Sequence, residues 1–362
     1  MLMPMMFVLA FVIGLVAEFL TTLKPSFKSR PLFLRIERRN GQCARLASWY
    51  LIVHIGILGG VEMGHQTGVS LSKSIIPAVG ISVLIFVVSY GLLEITKFFD
   101  RRINIAIATH FGSVSVGTFA ASLALVEALQ LSYSPIVFSW VALMELPAIL
   151  IGVFLLGKGW HSILDVIRSD KGLLLLPFTL IVGACLPAGS METGSLLQRI
   201  LVDYFQPVLV YFLFDMGRHA YAGLSKMGSQ RWKIIGSGIA IPLFAGTLGA
   251  GIARIVTPWN LGDVVIFATL AASASYVAAP IALRAVNQKS PFPASENQSL
   301  ASIGLTIAVG ITLPFNILFG IRIYVFEALI FQNTILAVGI VLALFISLVV
   351  GVSLRQNRFM HF

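Results

Sequence analysis

The chain has 362 residues, of which 57% are hydrophobic and only 11% charged, with a formal net charge of +10 and a mean hydropathy of +0.93. A soluble domain carries about 25% charged residues, so this composition excludes a water-facing surface and points to an integral membrane protein. The two cysteines, Cys43 and Cys185, stand far apart without a partner pattern, which argues against a disulfide framework or a cysteine metal site.

A bilayer span needs roughly 20 apolar residues. Segments of that kind run over about 4–22, 46–63, 75–95, 103–127, 135–157, 172–188, 205–224, 233–254, 261–286, 299–323 and 334–354. The first has no basic residue before it and no small-x-small site after it, so it reads as a retained span rather than a cleaved signal. With the N-terminus outside and the spans alternating, one side collects the basic residues. They are Lys24, Lys28, Arg30, Arg35, Arg38, Arg39 and Arg45, then Lys97, Arg101 and Arg102, then Lys158, Arg168 and Lys171. Arg218, Lys226, Arg231, Lys233, Arg284, Lys289, Arg355 and Arg358 follow on that side, leaving Lys73, Arg199, Arg254 and Arg322 on the other. This is the positive-inside pattern. It accounts for the net charge without nucleic acid, and it puts the C-terminus in the cytoplasm of an inner-membrane protein.

The segment Ala108-Thr109-His110-Phe111-Gly112-Ser113-Val114-Ser115 recurs as Ala268-Thr269-Leu270-Ala271-Ala272-Ser273-Ala274-Ser275. Glu62-Met63-Gly64 is likewise echoed by Asp215-Met216-Gly217, and Leu146-Pro147 by Leu313-Pro314. Spans two, four and five thus pair with seven, nine and ten. Because five is odd, the second half enters from the opposite side, giving an inverted repeat, the layout of a secondary transporter. The expected fold is an all-α polytopic membrane protein with two inverted five-span repeats and one extra C-terminal span. Its units are residues 1–157, a cytoplasmic connector 158–171, a second repeat 172–332, and 333–362. In the connector, Trp160, Ile163, Leu164 and Ile167 fall at helical spacing, consistent with a short interfacial helix or a plain polar linker.

In span four, Gly112, Ser113, Ser115, Gly117, Thr118 and Ser122 cluster near mid-membrane. Gly weakens a helix by about 1 kcal/mol relative to Ala, and hydroxyls compete for backbone hydrogen bonds. A break here would aim half-helix N-termini at an anion and offer carbonyls and hydroxyls to Na+. The alternative is close helix packing through small residues. Span nine offers Ser273, Ser275 and Tyr276 before Pro280. Discontinuity is expected at 113–118 and 273–279. Glu145 lies amid Leu143, Met144, Leu146 and Pro147; an acid there is costly enough to suggest function, as a partner of Na+ or a proton, or else a salt bridge to Arg284. Asn316 poses the same choice. His54 and His110 read as hydrogen-bonded core residues, and Asp215 and Glu62 as structural or gating groups near span ends. No zinc-hydrolase, nucleotide-binding or nucleophile-elbow motif is present, so the chain does not read as an enzyme, and transport would be gradient-driven or passive.

The run Phe111-Gly112-Ser113-Val114-Ser115-Val116-Gly117-Thr118 resembles a Phe-Gly-x-Val-Ser-x-x-Thr stretch of the sodium-dependent bicarbonate transporters first known from cyanobacteria. Met144-Glu145-Leu146-Pro147-Ala148 is similar to that family's Met-Asp-Ile-Pro-Ala. Ala271-Ala272-Ser273-Ala274-Ser275 with Pro280 and Leu283-Arg284-Ala285 resembles its Ala-Ala-Ser-Ser-Ser…Pro…Leu-Arg-Ala, and Ile57-x-Gly59-Gly60 also fits. The resemblance covers roughly residues 4–323. It implies Na+-dependent bicarbonate symport by an elevator-like motion, a homotrimer, and no cofactor beyond Na+ as coupling ion. By match, Ser115, Thr118, Ser273 and Ser275 would lie at the bicarbonate and Na+ sites, with Glu145 replacing the family's Asp; joined to the residue-level candidates Gly112, Ser113, Tyr276 and Asn316 they form the expected substrate and ion site, with Na+ at Ser115, Thr118, Glu145 and Ser275. Tyr276 stands where cyanobacterial members have an acid, and Ala278 where they have a serine, which leaves another small anion or organic acid, or a passive anion channel, as alternatives. The connector is shorter than theirs, which argues against a PII-like regulator.

Overall fold

The computed structural model describes residues 2–23, 31–65, 68–157, 159–169, 172–187, 190–191, 195–225, 230–256, 259–288 and 294–357. Of the basic residues counted above, Lys24, Lys28, Arg30, Lys158, Lys171, Lys226, Lys289 and Arg358 lie outside the described residues. Among the described residues every regular element is a helix, and nine helical stretches are long and apolar enough to cross a membrane. Leu174–Ala184 and Leu261–Ala271 are shorter apolar helices. The protein is an all-α, multi-pass membrane protein.

In chain order the helices are α1 (Leu2–Leu23), α2 (Pro31–His65), α3 (Gly68–Thr96), α4 (Arg101–Gly112), α5 (Val116–Ala128), α6 (Val137–Leu156) and α7 (Trp160–Ser169). Then come α8 (Gly172–Ala184), α9 (Phe205–Leu224), α10 (Arg231–Val256), α11 (Leu261–Ala271), α12 (Ala278–Gln288), α13 (Ala294–Ile307), α14 (Ile321–Ile330) and α15 (Thr334–Asn357). A π-turn at Arg199–Asp203 leads into α9, and two more, Ala308–Thr312 and Asn316–Gly320, flank Pro314 between α13 and α14.

Two sets of contacts organise the bundle. α1 packs along α9, and α2 along α8. Both contacts are made backbone to backbone: a Cβ at Gly14 would meet the Phe214 carbonyl, and one at Gly217 the Phe11 carbonyl. In the second pair, a Cβ at Gly60 would meet the Leu180 carbonyl, and one at Gly183 the Ile57 carbonyl. Small residues that let backbones touch are the usual adhesive where hydrophobic burial gives no drive between helices. The other set joins α3 to α4, α4 to α6, α10 to α11 and α12 to α13. It holds both interrupted spans. α15 lies across α10 and α3 and turns Ile335, Leu342, Ile346 and Val349 outward.

α7 is a helix rather than an irregular linker. Its inward residues are Ile163 and Val166, buried among Ile149, Val153, Ala279 and Ala282, while Trp160 and Leu164 are exposed. The apolar face is therefore split: one edge docks on α6 and α12 and the other faces away from the protein.

Candidate substrate and ion site

The fourth span stops at Gly112 and restarts at Val116. Ser113 and Ser115 have extended backbones, and Ser115 caps α5 by accepting a hydrogen bond from the Thr118 amide at 3.1 Å. Thr118 also donates its hydroxyl to Ser115 Oγ at 2.8 Å. Serine is a good N-cap because its oxygen takes one of the amide donors a helix start leaves unpaired. The carbonyl freed at Gly112 is taken by Ser82 Oγ at 2.6 Å. The break is shorter than the sequence suggested, and Thr118 sits in the first turn of α5.

The ninth span is interrupted at residues 272–277. α11 starts on a capping box in which the Asn260 side chain and Asp263 satisfy each other's amides, and Asp263 also receives the Ser134 amide and hydroxyl. α12 starts with the Ala279 amide donating to Ser275 Oγ at 3.3 Å. Pro280 falls in the first turn of α12, where a missing N–H costs nothing.

The two breaks cross and are bonded to each other. The Ser115 amide donates to Ser273 Oγ at 3.0 Å, and the Gly117 amide to the Tyr276 hydroxyl at 2.8 Å. The Ser275 amide donates to the His110 carbonyl at 2.8 Å, and His110 Nδ1 lies 2.6 Å from the Ser275 carbonyl. Gly117 fits closely here: a Cβ would lie 2.5 Å from the Tyr276 hydroxyl, so any larger residue would have to displace the tyrosine. The N-termini of α5 and α12 thus converge, each a positive dipole end with amide donors.

Glu145 reaches this crossing from α6. Its Oε1 accepts from Ser275 Oγ at 3.1 Å, and it makes no ion pair with Arg284 among the described residues. Ser113 and the Val114 amide lie beside the carboxylate, yet Glu145 Oε2 and Ser113 Oγ are both buried without a hydrogen-bond partner. Buried oxygens normally find a partner, and, Ser275 aside, the neighbouring Ser113 hydroxyl and Val114 amide are the groups nearest this carboxylate.

The breaks bring Gly112, Ser113, Ser115, Thr118, Glu145, Ser273, Ser275 and Tyr276 together. Asn316 supports them from behind. Its Nδ2 donates to the Ala272 carbonyl at 2.8 Å, and its Oδ1 accepts from the Tyr324 hydroxyl at 3.1 Å, so both ends of the amide are engaged.

Two cavities meet at Tyr276. A small one of ≈ 30 Å³, lined by Ser115, Glu145 and Tyr276 among others, has room for about two waters. A wider vestibule of ≈ 210 Å³ is lined by Arg45, Trp49, Phe212, Tyr276, Arg284 and Leu305 among others. Both share Ile52, Tyr276, Val277 and Ala278, and the Tyr276 ring rests on Phe212 with centroids 5.7 Å apart.

Residues 6–329 match the sequence model of the Na+-dependent bicarbonate transporter superfamily. The chain belongs to that superfamily. Among curated proteins none matches. A member of the Na+-dependent bicarbonate transporter superfamily is a membrane transport protein, which agrees with the multi-pass helical bundle and the buried polar crossing.

Some buried polar links of this superfamily member were not legible in the sequence. His110 read as a core histidine, although it lies inside the repeated motif, where the second copy has Leu270. Glu327 was missed because span ten was ended too early. The apolar helix runs to Ile330, and Glu327 Oε1 accepts from Thr247 at 2.6 Å. Arg218 was counted only among the basic residues of the inner side. It bonds both oxygens of Glu37 at 2.8 Å and Glu18 at 3.1 Å, with Asp215 at 3.9 Å, tying α1, α2 and α9 together.

Proposed function

We propose that the protein is a Na+–bicarbonate symporter of the inner membrane, with its N-terminus outside and its C-terminus in the cytoplasm. The observation that carries this reading is Glu145. Its buried carboxylate stands at the crossing of two broken helices, accepting from Ser275 with Ser113 and the Val114 amide beside it, and it has no cationic side chain as an ion-pair partner among the described residues. Na+ is a hard cation that takes carboxylate, hydroxyl and carbonyl oxygens. Glu145 and Ser113, with Ser115, Thr118 and Ser275 nearby, supply that set. The anion belongs at the α5 N-terminus, where the Gly117 amide now holds the Tyr276 hydroxyl. Binding there exchanges one amide acceptor for a charged one, which is the stronger bond.

Two inverted five-helix repeats are supported by the contact pattern. Exchanging the halves turns the α1–α9 contact into α8–α2, and the α3–α4 contact into α10–α11. An elevator-like cycle would carry the crossing, as part of the second helix set, past the α1, α2, α8 and α9 set, with Tyr276 parting the site from the vestibule. By the positive-inside bias the vestibule, with Arg45 and Arg284, faces the cytoplasm.

Purified protein in liposomes tests this. Labelled bicarbonate should accumulate when an inward Na+ gradient is imposed and should not when choline replaces Na+. Uptake indifferent to Na+ would support a passive route instead, and strong competition by small organic acids would reassign the substrate.

A further inference from the structure

We propose that the vestibule is a second anion site, in which Arg45 and Arg284 together hold an oxyanion carrying two negative charges. Both residues line the same ≈ 210 Å³ cavity. Neither forms an ion pair among the described residues, whereas Arg218 is held by Glu18 and Glu37. Trp49, Phe212 and Leu305 make the surrounding wall apolar. A cleft of one charge sign with low-dielectric walls focuses its field and concentrates counter-ions far better than an open surface. Arginine suits the task because its planar fork matches oxyanions, and it stays charged at any physiological pH.

The vestibule and the buried crossing differ in what they accept. The inner cavity, at ≈ 30 Å³, is tight, and the Tyr276 hydroxyl already fills the helix end there. The outer one has room for a tetrahedral oxyanion with water. Two unpaired cations face it, so a dianion satisfies both, while a monoanion such as bicarbonate leaves one unmet. Phosphate chemistry with two ionisable oxygens is the natural fit, presented either by free inorganic phosphate or by the monoester headgroup of phosphatidic acid.

Position gives the site a consequence. Arg45 and Trp49 belong to α2, and Arg284 to α12, so a bridging dianion ties together the two helix sets. Occupancy would slow transport. This consequence rests on the symport reading above; binding itself does not.

The test uses the full chain in nanodiscs of neutral lipid, with labelled inorganic phosphate in equilibrium dialysis. One saturable site per chain is expected. Arg45→Gln and Arg284→Gln should each weaken binding about tenfold, the loss of one charged hydrogen-bonding partner, and the double substitution should remove it. Arg231→Gln, which deletes a charge outside the vestibule, should leave binding unchanged. Repeating the measurement in nanodiscs containing phosphatidic acid separates the sources: loss of phosphate binding there names the headgroup as occupant, and retained binding names free phosphate. Should the arginine variants misfold, phenylglyoxal labelling of the wild type, read by mass spectrometry, serves instead; phosphate should protect Arg45 and Arg284 and leave Arg231 reactive. Non-saturable binding, equal affinity in the folded double variant, or no protection would overturn the proposal. In liposomes, phosphate on the vestibule side should slow bicarbonate flux in the wild type and not in the double variant. An absence of any bicarbonate flux would count against the symport reading and leave the dialysis result intact.

Discussion

His110 and Ser275 hold each other at two points: the Ser275 amide donates to the His110 carbonyl at 2.8 Å, and His110 Nδ1 lies 2.6 Å from the Ser275 carbonyl. A carbonyl only accepts, so Nδ1 carries the proton, and Nε2 is the lone-pair nitrogen, buried without a partner. This double link joins the end of α4 to the gap before α12. Replacing His110 by Phe leaves the Ser275 carbonyl unpaired in a buried place, at a cost of about 1–3 kcal/mol. Asn keeps a donor near the Nδ1 position. Thermal unfolding in detergent should therefore rank wild type above His110→Asn and that above His110→Phe, and Na+-dependent uptake should follow the same order. Equal melting of the two variants would sink the assignment.

Glu145→Gln removes the charge and keeps the size. We expect the Ser275 bond and the fold to survive, while concentrative uptake is lost and Na+ dependence falls about tenfold or more, as befits a charged ligand replaced by a neutral one. Sodium titration of uptake, alongside the melting temperature, checks both halves. Unaltered Na+ dependence would exclude Glu145 as the coupling group.

Gly117→Ala places a methyl 2.5 Å from the Tyr276 hydroxyl. The tyrosine must withdraw, so this variant should transport poorly. Tyr276→Phe removes the atom the methyl meets, so the double variant should outperform Gly117→Ala alone. A double-mutant cycle on uptake rates measures the coupling; strict additivity would show that the two residues do not oppose each other.

The two breaks were legible because small and hydroxyl residues recur at one place in both halves, and such residues are poor helix formers. What joins the breaks was not, since His110 and Ser275 lie far apart in the chain and only the tertiary crossing brings them together. The end of span ten misled for another reason. Arg322 and Glu327 look like residues that want water, yet Arg322 folds back on the Ile317 and Leu318 carbonyls, and Glu327 bonds Thr247. The π-turns around Pro314 release those carbonyls, and no periodicity in the sequence announces them.

Arg218 stands among Glu18, Glu37 and Asp215, with only 13% of its side chain exposed. Arg218→Gln removes the guanidinium that Glu18, Glu37 and Asp215 share, while His219 Nδ1 stays 3.3 Å from Asp215. Breaking a buried pair this way costs about 3 kcal/mol, so the variant should melt well below wild type, and Glu37→Gln, at a more exposed acid, should cost less. Equal melting of the two would rule out the buried part of the network as its main support.

One-to-one symport of Na+ and bicarbonate moves no net charge. A tenfold Na+ gradient then supplies only about 1.4 kcal/mol, or roughly tenfold accumulation. A second Na+ would add about 2.3 kcal/mol per 100 mV. Glu145 is the acid at the crossing, and Tyr276 supplies no charge, so we expect uptake to be unaffected by an imposed potassium-diffusion potential. A steep rise with negative-inside potential would require more than one Na+.

The glycine contacts also set a mechanical limit. Gly14 against Phe214, Gly217 against Phe11, Gly60 against Leu180 and Gly183 against Ile57 are registers with no side chain between the backbones. Sliding either pair by one residue would bring a Cβ to a carbonyl that only hydrogen can approach. These seams act as keyed joints. Any large displacement must then take place where bulkier, deformable side chains meet, and the Phe212–Tyr276 contact is such a place.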